Sequence, residues 1–280
     1  MTSFFSVFFN PEFPFIRNAF FAGLLSSILF GVIGSLVTAR RIASLAGAVS
    51  HAVLGGIGMA LFLSAANIIP NFPPLLGALI FAALSACVIG FVSLKAKQRE
   101  DTVINAIWAI GMSIGVVFMA KTPGYTDPST YLFGNILLIS TRDLLFLAVL
   151  DCVVIALAWR FYPQIEASSF DEEFARVRRV PVTAVFLILL LITATAIVLL
   201  QSFVGVVMVI AMLTLPAGTA SFVKSVKSLS AMMLASCVFS ALFSVVGLVL
   251  GWMFDLPVGA VTVITAGAVF LIASAVRARR

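Results

Sequence analysis

The chain has 280 residues, of which 62% are hydrophobic and only 10% charged, and its mean hydropathy is +1.20. Soluble domains run at about 45 to 50% apolar and about 25% charged, so this composition defines an integral membrane protein and excludes a secreted disulfide scaffold or a nucleic-acid-binding module. No G-x-x-x-x-G-K-[ST] phosphate loop occurs, which excludes a nucleotide-hydrolysing domain, and the net charge of +6 belongs with cytoplasmic loops rather than with nucleic acid.

In chain order, residues 1–14 come first. They lack a basic leading segment and carry Pro11 and Pro14, so they read as a Phe-rich interfacial segment and not as a cleaved signal. Apolar runs between charged or Pro/Asn-rich breaks then predict an all-α polytopic bundle, a single transmembrane domain over 1–280. The expected spans are Phe15–Ala39, Ile42–Ala66, Pro74–Leu94, Thr102–Ala120, Leu144–Trp159, Pro181–Leu200, Phe203–Phe222, Leu229–Trp252 and Val258–Val276. This gives about nine crossings, with eight as the alternative count.

With the amino terminus outside and the carboxy terminus cytoplasmic, fourteen of the 17 Lys and Arg residues fall in inner loops, leaving only Arg17, Lys121 and Arg142 outside. That asymmetry is the positive-inside bias of a multi-pass membrane protein. Between Thr122 and Arg142 a Pro/Gly break precedes the short apolar run YLFGNILLIS, which fits a re-entrant or interfacial helix. The link between the sixth and seventh spans is expected at Gln201 and Ser202. Cys87, Cys152 and Cys237 lie in apolar runs without C-x-x-C spacing and read as small core residues.

Few polar groups lie at membrane depth, and each is a functional candidate because hydrocarbon penalises it. His51, the single histidine, stands ten residues after Arg41, about 15 Å deep. Ala43, Gly47, His51, Gly55 and Gly58 follow at spacings of three or four, which draws one small-residue face through the imidazole. That face suits either close helix approach or a narrow aqueous lining. His51 is the candidate metal ligand; its plain alternative is a hydrogen bond to a neighbouring helix. Asp151, midway between Arg142 and Arg160, is a weaker metal candidate whose alternative is a neutralised or helix-bonded acid.

Pro216 lacks an N–H and predicts a kink that frees the Met212 carbonyl, serving a gate or static packing. Met208 and Met212 read as gap-filling core, and Asp101 as a residue favouring a helix start. The hydrophilic stretch over 160–180 predicts a short amphipathic helix capped by Ser169 or Asp171, with Asp171, Glu172 and Glu173 first and Arg176, Arg178 and Arg179 last. It fits a solvated loop or a docking helix for a cytoplasmic partner.

The segments ARRIASLAGAVSHAVLGG, REDTVINAIWAIGMSIGVV, YLFGNIL, SFDEEFARVRRVPV and QSFVGVVMVIAMLTLPAGTASF occur in this order. Together they resemble the membrane permease subunit of bacterial ABC importers for manganese, zinc or iron, from about Arg17 to about Ala275. The resemblance implies a permease dimer, separate cytoplasmic ATPase subunits, an extracytoplasmic metal-binding protein and a divalent metal carried as substrate, with no permanently bound cofactor. It also implies that Phe170, Asp171, Glu172, Glu173, Phe174, Ala175, Arg176 and Arg179 belong to the coupling segment received by the ATPase.

Three positions depart from the family pattern. Gly47 stands where the family often carries an Asp that looks like the second metal ligand, Gly55-Gly56 replaces Pro-Gly, and Arg179 replaces a glycine. A second, related permease subunit would then supply the carboxylate. The competing readings are an ATP-independent proton-coupled carrier using His51 and Asp151, and a membrane hydrolase, for which neither H-E-x-x-H nor G-x-S-x-G is present.

Overall fold

The computed structural model describes residues 8–10, 13–95, 100–123, 134 and 136–278. The interfacial reading of 1–14 falls largely outside these residues, as do 124–133 and 135 of the expected re-entrant piece, Lys97, Arg99, Arg279 and Arg280. Among the described residues every regular element is helical: α1 (Pro14–Ala39), α2 (Ala43–Ala65), α3 (Pro74–Lys95), α4 (Glu100–Lys121), a 3-10 turn (Ile136–Leu138), α5 (Thr141–Arg160), α6 (Tyr162–Phe170), α7 (Glu172–Val177), α8 (Val182–Val204), α9 (Val206–Ser221), α10 (Leu229–Phe254) and α11 (Val258–Ala278).

Local chemistry fixes the helix ends. Pro14 opens α1, where its missing N–H has no intrahelical partner to lose. At the other end Arg41 takes φ 59°, its N–H reaching the Thr38 carbonyl and that of Ile42 the Val37 carbonyl, a Schellman closure that turns the chain directly into α2. A capping box starts α5: the Asp143 N–H donates to Ser140 Oγ at 3.3 Å and the Ser140 N–H to Asp143 Oδ2 at 2.9 Å.

Burial separates the centre from the rim. In their most apolar stretches α1 and α2 are each 72% buried, against 22% for α4 and 17% for α11. The core therefore runs along α1 and α2, with α10 packed on α1, α3 and α4 on α2, and α9 wedged among α1, α10 and α11. The weakly buried helices turn apolar residues outward from the bundle, which a membrane protein can do because lipid is as good a solvent for Leu and Phe as a protein core.

Side-chain contacts define the two ends of the bundle. At one end Asn18 donates to the Ile139 carbonyl at 3.1 Å and Phe15 lies against Trp252. At the other, Arg40 meets Ser168, Tyr162 meets the Ser230 N–H, and Arg277 donates to the Ser221 carbonyl at 2.8 Å. The start of α1 and the end of α11 thus lie at opposite ends.

The expected nine spans are not matched by nine helices of spanning length. Seven of the described helices are long and apolar enough to cross, and α5 with α6, bent by 66° at their junction, makes an eighth if the pair is one span. The remaining element, α9, has 16 residues and reaches about 24 Å, short of the about 30 Å of hydrocarbon. The boundary before it is also shifted. Gln201 and Ser202 are helical, and the chain breaks at Gly205, whose φ of 83° and ψ of 162° no L side chain adopts readily. Gly134, itself at φ 57°, packs against this break so closely that a Cβ there would collide with the Gly205 backbone. Hydropathy could not see the break because apolar residues continue through it. Helix α9 runs unbroken past the buried Pro216.

Candidate functional site

The small-residue face of α2 divides into two parts. Toward its carboxy-terminal half, a Cβ on Gly55 would stand 2.7 Å from the Gly111 carbonyl oxygen, and one on Gly58 would stand 2.5 Å from that of Gly115. On the flank toward α3, Gly56 and Gly77 meet backbone to backbone. Here glycine permits close helix approach, the first of the two uses that the spacing allowed. At Gly47 the same built Cβ meets nothing within 4 Å.

His51 lies between these regimes, eight residues into the 23-residue helix. Its half-buried ring stacks on Trp108 of α4, with centroids 4.9 Å apart and planes 25° apart. Its Nδ1 is buried without a hydrogen-bond partner, so the contact shown with α4 is the stacked ring and not a bond from this nitrogen. A neutral imidazole with a free ring nitrogen can accept a proton, a hydrogen bond or a metal.

Trp108 opens onto a recess of about 690 Å³ bordered by Asn105, Ala109, Met112, Ser113, Val116 and Val117, all on the outer face of α4. An amide, a thioether and a hydroxyl therefore share an otherwise apolar wall with Trp108, the residue on which the histidine stacks. Sequence reasoning missed Trp108 because it sits in an apolar run like any core aromatic. The usable signal was Gly111 and Gly115, three and seven residues after Trp108, which put small residues on one helix face with it and meet Gly55 and Gly58 of α2.

Asp151 is elsewhere. Helix α5 packs chiefly on α1, not on α2 or α4, and Asp151 is 3% exposed with both carboxylate oxygens unpartnered. The structure does not bring it to His51. No group of three or more His, Cys, Asp or Glu residues capable of holding a metal occurs among the described residues.

At the end of the bundle that holds Arg40, the stretch over 160–180 forms two short helices. Asp171 is the N-cap of α7, accepting from the Phe174 N–H at 2.9 Å, while Ser169 instead donates to the Ile165 carbonyl within α6. Ala175 is fully buried and anchors α7, whereas Phe170, Phe174 and Val177 are 73%, 52% and 81% exposed. Asp171, Glu172, Glu173 and Arg176 surround them in solvent, with Glu172 paired to Arg176 at 2.6 Å. Arg179 has φ 60°, its N–H bonded to the Arg176 carbonyl and that of Val180 to the Ala175 carbonyl, a Schellman closure that glycine would make without a Cβ penalty.

The protein is thus a polytopic helical membrane protein with a lone imidazole beside an open helix face and a solvent-facing helical loop at the end holding Arg40. Residues 12–277 match the model of the ABC 3 transport family, and the chain belongs to that family. It is 36% identical over 267 residues to an uncharacterized membrane protein of Synechocystis sp., covering 95% of this chain and 92% of that one. It is 31% identical over 263 residues to the manganese transport system membrane protein MntC of Listeria monocytogenes, covering 94% and 90%. Among solved structures it resembles PsaBC from Streptococcus pneumoniae, in complex with Fab, with a TM-score of 0.80 and 29% identity over 92% of this chain and 90% of that one.

Proposed function

We propose that this ABC-family permease carries a divalent transition metal, manganese foremost, across the bacterial inner membrane into the cytoplasm. The observation that carries the reading is His51: an imidazole within a membrane helix, with an unbonded buried nitrogen, one turn from an unfilled position at Gly47. A polar side chain is retained at such depth when it meets a substrate or a water path. The name of the Listeria relative supports manganese, and borderline divalent metals accept imidazole nitrogen.

One imidazole is too few ligands for transit, so the rest of the coordination sphere comes from outside this chain. A second permease subunit apposed to the exposed face of α4 would enclose the recess at Trp108 and supply the carboxylate that Gly47 lacks. Zinc and iron are the other cargoes that this donor chemistry admits. ATP is hydrolysed by separate cytoplasmic subunits that receive Phe170, Phe174 and Val177, and an extracytoplasmic binding protein delivers the metal. Arg40, Arg41, Arg160, Arg176, Arg178, Arg179, Lys224, Lys227 and Arg277 gather at one end of the bundle. The positive-inside rule makes that end cytoplasmic.

The test is metal uptake by the assembled transporter in vesicles, comparing the wild type with His51→Ala. Loss of ATP-dependent uptake supports the reading. Unchanged uptake would remove His51 from the path, and uptake that follows a proton gradient without any ATPase would replace the importer with an independent carrier.

A further inference from the structure

The contacts of one arginine say how the coupling segment reaches the histidine helix. This inference rests on the transport reading above. Arg40 is the C-cap of α1, and only Arg40, Arg41 and Ile42 separate α1 from α2. That turn has no slack. The Arg40 N–H bonds the Leu36 carbonyl, the Arg41 and Ile42 N–H groups close on Thr38 and Val37, and the Leu45 N–H bonds the Ile42 carbonyl, which carries the turn into the first turn of α2.

The Arg40 side chain leaves this turn and enters the coupling region. Its Nη2 donates to Ser168 Oγ at 2.6 Å, and Ser168 is 3% exposed on α6. The Ser168 hydroxyl gives its own proton to the Ile165 carbonyl at 3.1 Å, which leaves its lone pairs for the guanidinium. The guanidinium carbon also lies 5.8 Å from the ring centroid of Phe186, at the start of α8. Burial lowers the Arg40 pKa from its ordinary value, and the nearby charge of Glu172, the first residue of α7, opposes that shift. One side chain therefore touches α6 and α8, senses the charge that opens α7, and is rooted in the hinge before α2.

The other side-chain anchor of α6 leads elsewhere. Tyr162 Oη accepts from the Ser230 N–H at 3.1 Å and donates to Glu166 at 2.9 Å, which ties α6 to the start of α10. Among the hydrogen bonds of the described residues, Arg40 to Ser168 is the link between the coupling segment and the α1–α2 turn.

We propose that Arg40 is a positioning residue that transmits movement of the α6–α7 coupling segment to α2, and so to His51. The pair moves as a unit: a push on α7 displaces Ser168, Ser168 carries Arg40, and the closed turn carries the start of α2. Arginine suits this role because its planar fork holds direction, where a flexible lysine would deliver charge without geometry.

The experiment uses the complete transporter in vesicles, with manganese uptake and ATP hydrolysis measured on the same preparation for wild type, Arg40→Gln, Ser168→Ala and the double variant. A charge-assisted hydrogen bond is lost in each, so uptake per ATP is expected to fall roughly tenfold in each single variant while hydrolysis stays within about twofold. The double variant should fall no further, since both changes break one contact. Ser168→Ala removes a single oxygen and leaves the arginine in place, which keeps the test open if Arg40→Gln fails to assemble.

Unchanged uptake per ATP in Ser168→Ala, or uptake and hydrolysis falling in proportion, would overturn the proposal and leave Arg40 as packing. Losses that multiply in the double variant would overturn the single-contact route. A wild type without ATP-dependent manganese uptake would strike down the transport reading and this proposal together, whereas a working wild type with indifferent variants strikes down this proposal alone.

Discussion

Two halves of one helix make opposite use of glycine. In the carboxy-terminal half of α2, Gly55 and Gly58 lie against the backbone of α4 and Gly56 against that of α3, so every missing side chain is replaced by a neighbouring main chain. In the amino-terminal half Gly47 faces open space. His51 marks the change. The packed half holds α3 and α4 at fixed positions, and the open half leaves room beside the imidazole that those helices support. A binding group is more useful on a rigid element than on a loop, and the glycine contacts supply that rigidity.

The most damaging way to break this contrast is to fill the packed half. Gly56→Leu places a side chain where the Gly77 carbonyl already sits, and backbone cannot move aside as a flexible side chain can. Overpacking of this kind should cost at least about 3 kcal/mol. It should be read as loss of a monodisperse, thermally stable protein in detergent.

Next in size is His51→Ala, which leaves packing nearly intact because the ring contacts Trp108 on one face and is half-exposed. Its thermal stability should stay near wild type while metal uptake falls by roughly tenfold or more, at least the cost of disturbing even an outer group of a metal site. Equal loss of stability and uptake would turn His51 into a packing residue.

Gly47→Asp sharpens the comparison from the other side. With no atom of a neighbouring element within 4 Å of the new Cβ, the variant should fold without a steric penalty. The carboxylate would lie one turn from the imidazole, and manganese should bind more tightly in a competition titration. The same substitution at Gly58 should behave like Gly56→Leu, which makes the pair a direct measure of the difference between the halves.

The smallest effect is expected at Arg179→Gly, remote from both halves. The position has φ 60°, so removing the Cβ should stabilise the end of α7 by up to about 1 kcal/mol. Slower amide exchange or slower proteolysis around 172–180 would register it.

Much of the fold was legible because the signals are local. Apolar runs marked the membrane helices, the Asp171 cap and the acidic-to-basic order placed α7, and Ser140 with Asp143 could have moved the start of α5 to Thr141. The reading failed at Gln201, where an apolar sequence continues through the break at Gly205 and only the backbone angle reveals it. It also kept Asp151 as a companion of His51. Depth along a helix can be counted from sequence, but which helices become neighbours cannot.

By itself, the sequence determined that this protein lives in a bilayer, that its basic residues favour one side, and that an imidazole lies within the second helix beside small residues. Composition and period suffice for this because the transfer of each side chain between water and hydrocarbon is nearly a property of that residue alone. Only the tertiary structure decided which glycines are filled and which are open, that Trp108 covers His51, and that Arg40 reaches Ser168. A glycine leaves the same gap in every sequence, and what fills it is settled by the long-range packing of helices far apart in the chain.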